Sequence, residues 1–148
     1  MGNWQPPAHI RPVAIGVAIE EGRLLVVEVA ERDGSIFGYR PPGGGIEFGE
    51  RAEDALHREF FEEMRARIEI IAPPQIIENF YTLNDARGHE IIFAFPIRVL
   101  TRSLIETPTF VIQEPDGSSD RAQWIDLDEF GEEKKRLLPA GLLVEHPR

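Results

Sequence analysis

Residues 44–66 read GGIEFGERAEDALHREFFEEMRA, a glycine-rich loop followed by a run without glycine or proline. From Arg51 to Met64 the run consists mainly of Ala, Leu, Glu, Arg and Met, all of which favour helices. We therefore predict a helix over residues 51–64. On a helical wheel its apolar side chains gather into one stripe that is expected to face the core. The stripe comprises Ala52, Ala55, Leu56, Phe60 and Met64.

Three carboxylates of this helix interrupt the apolar stripe. Glu59 and Glu63 fall inside it and Glu62 lies at its border, at spacings that place Cβ atoms about 5–6 Å apart. Carboxylates this close repel one another, and burial disfavours an ionised acid. A bound cation would offset that cost, since Mg²⁺ and Mn²⁺ prefer oxygen ligands. Mg²⁺ often takes some of these ligands from the phosphates of a substrate. A solvated acidic face without a ligand is the alternative interpretation.

The same stretch resembles the Nudix box of the MutT-like Nudix hydrolase superfamily. The box is Gly, five residues, Glu, seven residues, then Arg-Glu-hydrophobic-any-Glu-Glu-any-Gly-hydrophobic. The matching positions in this chain are Gly44, Glu50, Arg58, Glu59, Phe60, Glu62 and Glu63. The resemblance implies an α+β fold, a Nudix-type α/β/α sandwich with a mixed central sheet. We expect a flexible lead-in over residues 1–12 and a single domain over residues 13–148.

The box is matched at all but one of its fixed positions. Its last glycine is Arg65 in this chain. That position ends the helix in a left-handed conformation, which glycine adopts without steric cost. Any other residue costs on the order of 1 kcal/mol there. We expect a locally altered helix end with the chemistry retained.

The resemblance also implies residue roles. Glu59, Glu62 and Glu63 would be the catalytic metal ligands for Mg²⁺ or Mn²⁺, with Glu63 foremost, and a backbone carbonyl at Gly43 or Gly44 would add a ligand. Arg58 would be structural and would pair with Glu50. Glu47 is expected either to contact the metal or its water, or to be a solvated loop acid. The general base would lie in the box or on a later loop, where the candidates are Glu106, Glu114, Asp116 and Asp120; each is also explained as a solvated loop acid.

The implied reaction is metal-dependent hydrolysis of a pyrophosphate bond in a nucleoside diphosphate linked to another group. The substrate would be a small nucleotide such as a nucleoside triphosphate or a dinucleoside polyphosphate, which the small size of the chain favours slightly. ADP-ribose or another sugar nucleotide stays open as an alternative. The alternative is a catalytically idle Nudix-fold module that binds a nucleotide or a protein partner, which only Arg65 favours. The pattern does not identify the substrate-binding residues. His89, Phe80 and Tyr81 could line a cleft, although such residues in strands are more often structural.

Composition narrows the possible partners. The 148 residues carry a formal net charge of −10, which argues against stable binding to nucleic acid or to anionic membranes. No apolar run reaches the roughly 20 residues that span a membrane. There is no cysteine, which excludes disulfides and thiol catalysis and fits a reducing compartment. We expect a cytoplasmic protein and a possible homodimer.

The rest of the chain alternates apolar runs with turn residues. Pro96 inside a predicted strand favours an edge or a bulge. A short helix is expected from Asp126 or Asp128 to Leu138, where Pro139 would end it. The predicted strands cover residues 13–20, 23–30, 37–40, 67–71, 75–83, 90–100, 109–113 and 121–126. The first two would form one hairpin, and 75–83 with 90–100 a second around the turn 84–88.

Overall fold

The computed structural model describes residues 4–114 and 117–144. A mixed sheet and one long helix dominate it. In chain order the elements are β1 (Ile10–Glu20), β2 (Arg23–Ala30), β3 (Ile36–Arg40), β4 (Gly43–Gly45), α1 (Ala52–Met64), β5 (Ile68–Ile70), β6 (Gln75–Leu83), β7 (Ala86–Val99), α2 (Arg102–Glu106), β8 (Thr109–Gln113) and β9 (Ser119–Asp126), followed by a 3₁₀ turn at Leu127–Glu129.

The sheet consists of two halves joined by the β1–β2 hairpin. Its order is β5-β7-β1-β2-β9-β8, with β3 paired to β2, β4 to β1 and β6 to β7. β1 runs parallel to β7 and antiparallel to β4, while β2 pairs antiparallel with β3 and β9. β1 and β2 pair with each other only at Ile19–Glu20 and Arg23–Leu24. Beyond that point the two halves have different partners. The predicted α+β class with a mixed central sheet is confirmed.

Apolar residues cover both faces of the sheet. On one face α1 buries Leu56 and Phe60 completely, as the predicted stripe requires. On the other face Ile15 and Ile92 belong to a second core, which the C-terminal segment covers with side chains such as Leu137. Burial of this kind contributes roughly 25 cal/mol per Å² of apolar surface. The acidic helix is therefore fixed firmly against the sheet.

Several boundaries differ from the predictions. β1 begins at Ile10, three residues before its predicted start, so the end of the predicted lead-in belongs to the sheet. Residues 43–45, predicted as loop, form the short strand β4. The predicted helix to Leu138 is wrong: only the 3₁₀ turn forms, because Gly131 and Glu133 adopt positive φ angles of 146° and 59° that no helix continues through.

The expectation that Pro96 marks an edge or a bulge is also wrong, because β7 is an interior strand. β1 pairs along one side of β7. On the other side β6 pairs only as far as Ala94, and β5 begins at Ile97. Pro96 lies between these two partners, where its missing N–H leaves no ladder bond unmade. Its carbonyl accepts a hydrogen bond from the Ile71 N–H at 3.0 Å.

Candidate active site

A cleft of about 760 Å³ opens between the two halves of the sheet, beside α1. β2, β4, α1 and the β8–β9 connection contribute to its walls. The structure brings to it all of the predicted metal-site residues and two of the four candidate bases. The acidic residues among the described residues that line it are Glu28, Glu47, Glu59, Glu62, Glu63, Glu114 and Asp120.

Arg58 ties the glycine loop to the helix. Its Nε and Nη2 donate to the two carboxylate oxygens of Glu50 at 2.8 and 2.9 Å, and Nη2 also donates to the Gly45 carbonyl at 3.0 Å. Its Nη1 donates to Glu59 Oε1 at 2.9 Å. Such bidentate, charge-assisted bonds are the strong ones. The hydrogen bonds from Arg58 lower the pKa of Glu50 to about 2, and Glu50 in turn raises the pKa of Arg58.

Glu59 lies directly against the backbone of β4. A Cβ at Gly44 would lie 2.5 Å from the Glu59 Cδ and 2.6 Å from its Oε1. Only glycine therefore lets this carboxylate approach the strand so closely. The Glu59 side chain is 14% exposed, which places an acid in a largely desolvated position next to a glycine backbone.

Glu63 is the most perturbed acid of the cleft. Burial raises its pKa to about 9, and a hydrogen bond with Glu59 adds to the effect. The negative charges of Glu114, Glu59 and Asp120 raise it further. Crowding of carboxylates is thus concentrated at Glu63. Glu62 is more open, with 53% of its side chain exposed, and lies 3.3 Å from Arg58 Nη1.

The donor set fits a hard divalent cation, although the side chains are not gathered around one point. Among residues 4–114 and 117–144, no three His, Cys, Asp or Glu side chains are already arranged to hold a metal ion. Glu59 and Glu62 are turned toward Arg58 instead. The chemistry nevertheless suits Mg²⁺ or Mn²⁺, because all donors are oxygens and Gly44 leaves room for the Glu59 carboxylate.

The helix end at Arg65 differs from the expectation. Arg65 has φ 52° and ψ 32°, the left-handed conformation, and its N–H donates to the Phe61 carbonyl at 2.9 Å. Its guanidinium lies over the Phe61 ring, 5.2 Å from the centroid. The expected local alteration is therefore wrong: α1 ends as a glycine-capped helix does, with arginine in the strained position.

The candidate bases fall into three groups. Glu114 and Asp120 line the cleft and act electrostatically on Glu63. Glu106 lies in α2, where Arg102 Nη1 donates to its Oε1 at 3.5 Å, away from the cleft. Asp116 lies outside the described residues.

The aromatic candidates do not line the cleft. Phe80 and His89 stack on each other with centroids 4.3 Å apart. With Tyr81 they line a different cavity, formed against residues 7–10. Their pairing is a contact between neighbouring strands rather than part of the acidic site.

The sequence analysis missed a basic group at the other end of the cleft. Glu90 is 1% exposed and contacts both Arg11 and Arg40, which line the cleft with Trp4. A signal was present in the sequence. Glu90 has the same strand phase as the buried residues Ile92 and Ala94, so a carboxylate there requires a cation.

The glycine strand, the arginine-tied loop and the acidic helix define a Nudix-type hydrolase fold. The family model for the NUDIX domain matches residues 10–143, and the chain belongs to that family. No curated protein matches. Within the described residues, no helix has both the length and the apolar character needed to cross a membrane.

Solved structures share this fold at low sequence identity. A MutT NUDIX hydrolase from Burkholderia pseudomallei is 19% identical, with 83% of this chain and 88% of that chain covered and a TM-score of 0.58. A NUDIX hydrolase from Nitrosomonas europaea is 23% identical, with 82% and 75% covered and a TM-score of 0.58. An ADP-ribose pyrophosphatase from Streptococcus suis is 17% identical, with 81% and 76% covered and a TM-score of 0.53. These similarities support the fold alone.

Proposed function

We propose that this Nudix hydrolase cleaves a pyrophosphate bond in a small nucleotide, a nucleoside diphosphate linked to another group, with Mg²⁺ or Mn²⁺ as cofactor. The observation that carries the proposal is the crowding of acids around Glu63. Its pKa is raised to about 9 by burial and by neighbouring carboxylates. A divalent cation relieves that crowding, and anionic phosphates supply the remaining ligands.

Each residue of the box has a role in this proposal. Glu59, Glu62 and Glu63 would hold the cation, with the Gly44 carbonyl as a further ligand. When bound, the cation would neutralise phosphate oxygens and lower the pKa of a coordinated water. Arg58 positions the site by holding the loop through Glu50 and the Gly45 carbonyl.

Glu114 and Asp120 are the proposed proton acceptors for the attacking water. Glu114 and Asp120 line the cleft and act electrostatically on Glu63. A carboxylate in that position suits a general base, since proton transfer requires hydrogen-bond reach of the reacting water. Glu106 is a weaker candidate because it pairs with Arg102 in α2.

Three further observations favour an enzyme of small nucleotides. The cleft volume of about 760 Å³ is that of a small-molecule site. Arg65, the one feature that favoured an idle module, leaves the helix end in the conformation that glycine would adopt. One protein of similar fold is named an ADP-ribose pyrophosphatase, and ADP-ribose is a nucleotide of the proposed class. The homodimer and the cytoplasmic location stay predictions.

The test is chromatographic detection of the hydrolysis products, a nucleoside phosphate together with pyrophosphate, a sugar phosphate or a second nucleotide. The panel is nucleoside triphosphates, ADP-ribose, sugar nucleotides and dinucleoside polyphosphates, each with Mg²⁺ and with Mn²⁺. We expect metal-dependent turnover of one class and a loss of at least about 100-fold in Glu63→Gln, or about 2.7 kcal/mol of barrier. Glu53→Gln, which alters an exposed acid in the first turn of α1, is the matched control and should retain activity. No turnover by the folded wild type across the panel would favour the binding module.

A further inference from the structure

The buried carboxylate of Glu90 organises a basic group that the proposed hydrolysis does not use. Arg11 Nη1 lies 3.2 Å from its Oε2 and Arg40 Nη1 lies 3.2 Å from its Oε1. Asn79 Nδ2 donates to Oε1 at 3.1 Å. We call Arg11, Arg40, Asn79 and Glu90 the Glu90 cluster. Two guanidiniums and one carboxylate leave it with a formal charge of +1.

The cluster gives one end of the cleft a positive charge, whereas the other end is acidic. Four arginines are among the described residues that line it: Arg11, Arg40, Arg58 and Arg65. Arg58 donates its hydrogen bonds to carboxylates and to the Gly45 carbonyl, and the Arg65 guanidinium lies over the Phe61 ring. Arg40 Nη2, by contrast, is buried without a hydrogen-bond partner in the described part of the chain. Buried donors almost always have a partner, so Arg40 keeps a hydrogen-bonding capacity that Glu90 does not use.

The cluster adjoins the carboxylates through the glycine strand. A Cβ at Gly45 would lie 3.5 Å from Arg11 Nη2, whereas a Cβ at the preceding Gly44 would meet Glu59. The two charged groups therefore lie against neighbouring residues of β4, on its two faces. Trp4 lines the same end of the cleft, and Arg11 lies over its ring, 5.8 Å from the centroid.

We infer that Arg40 and Arg11 bind a phosphate group of the substrate that lies beyond the carboxylate site. The inference rests on the proposed function and adds a second phosphate contact to it, so that one phosphate of the substrate lies at the carboxylates and another at the arginine pair. A guanidinium fork matches phosphate oxygens in a bidentate way. Glu90 and Asn79 are positioning residues, since Glu90 holds both guanidiniums and Asn79 donates a hydrogen bond to Glu90. Trp4 offers a flat face to the adjoining nucleoside.

The test uses metal-free protein in EDTA and nucleoside 5′-monophosphates, with the matching uncharged nucleosides, titrated by calorimetry. We expect the wild type to bind at least one monophosphate tenfold or more tightly than its nucleoside, and inorganic phosphate to compete. Arg40→Gln should weaken monophosphate binding at least tenfold and leave nucleoside binding unchanged. Arg98→Gln, which removes an exposed arginine paired with Glu69 outside the cleft, should stay within twofold of the wild type.

Three results would overturn the inference: equal binding of monophosphate and nucleoside, no monophosphate binding at millimolar concentration, or unchanged binding in a folded Arg40→Gln protein. If Arg40→Gln does not fold, Arg11→Gln carries the same prediction, because Arg11 is one-third exposed and less embedded. Arg40→Lys keeps the charge and loses the fork, so we expect an intermediate affinity.

The outcome is separable from that of the proposed hydrolysis. Phosphate-dependent binding without any turnover supports the anion subsite and contradicts the hydrolase. Metal-dependent turnover that is lost in Glu63→Gln, with an unchanged KM in Arg40→Gln, supports the hydrolase and contradicts the subsite. If both are correct, Arg40→Gln raises KM at least tenfold and changes kcat much less.

Discussion

The two ends of the cleft bring together charged side chains of opposite sign. At the arginine end, defined by the Glu90 cluster, a buried carboxylate lies between two guanidiniums and an amide. At the carboxylate end, defined by Glu59, Glu62 and Glu63, Arg58 is directed mainly to Glu50 and Glu59. At the first end two guanidiniums share one buried carboxylate, which leaves a formal charge of +1. The second end keeps an excess of negative charge, which a bound cation would offset.

The largest effect is expected from breaking the arginine end. Glu90→Leu leaves two guanidiniums without their buried counterion, and such losses cost about 3–5 kcal/mol. The unfolding free energy from urea denaturation should fall by that amount. Glu69→Leu, which breaks the exposed pair with Arg98, should cost at most about 1 kcal/mol. Equal losses in the two variants would mean that Glu90 does not act as a buried counterion for Arg11 and Arg40.

The second-largest effect is expected at the carboxylate end, on Mg²⁺ affinity. Gly44→Ala places a Cβ where the Glu59 carboxylate lies, and the side chain must move away. We expect Mg²⁺ affinity to fall at least tenfold, or about 1.4 kcal/mol, with little change in metal-free stability because the Glu59 side chain can shift. Gly45→Ala, whose Cβ makes only an ordinary contact with Arg11, is the control and should bind Mg²⁺ as the wild type does. Calorimetric titration measures both, and normal affinity in Gly44→Ala would remove Glu59 from the ligand set.

The excess charge at the carboxylate end predicts a pH dependence in the metal-free protein. The folded-state pKa of Glu63 is about 9, against an ordinary value of 4.5. Between those values the folded state holds a proton that the unfolded state has released, so the unfolding free energy falls as pH rises. In EDTA at pH 8, Glu63→Gln should therefore melt at least ~3 °C above the wild type, roughly 1 kcal/mol.

This difference should shrink as the pH falls through 4.5, the ordinary pKa of the carboxyl, because below that value both states of the wild type are protonated at Glu63. Added Mg²⁺ should raise the melting temperature of the wild type more than that of Glu63→Gln. A pH-independent difference between the two proteins would show that folding does not raise the pKa of Glu63.

The smallest effect concerns the helix end beside the carboxylates. Arg65 adopts a left-handed conformation that costs a non-glycine residue about 1 kcal/mol. Arg65→Gly should be about 1 kcal/mol more stable than Arg65→Ala, because both lose the contact with Phe61 and only the alanine keeps the strain. Thermal unfolding measures this, and hydrolysis rates should be equal in the two variants. Equal stability would show that the strain is relieved elsewhere.

Local patterns made one end of the cleft predictable. The helix from Arg51, the stripe with Leu56 and Phe60 and the spacing of the acids all lie within one stretch of 23 residues. Such signals need no knowledge of the rest of the fold. Local signals also predicted the β1–β2 hairpin and strand β8. Turn residues mark the hairpin and a β-branched run marks the strand.

Long-range pairing made the other end unpredictable. Arg11 and Glu90 are 79 positions apart in sequence, and only the parallel register of β1 with β7 places them side by side. Pro96 was misinterpreted because the change of partner from β6 to β5 cannot be read locally. The helix predicted up to Leu138 failed because Gly131 breaks it, a local signal that was given too little weight.

The parallel pairing of β1 with β7 also has a consequence for how the chain folds. Each rung, from Ile10 with His89 to Ala18 with Ile97, joins residues 79 positions apart. Contacts of such sequence separation slow folding, because loop closure must precede any gain from pairing. During synthesis β1 emerges long before β7 and presents an apolar, unpaired edge until its partner arrives. The arginine end can therefore assemble only late in folding, after the acidic helix has already been made.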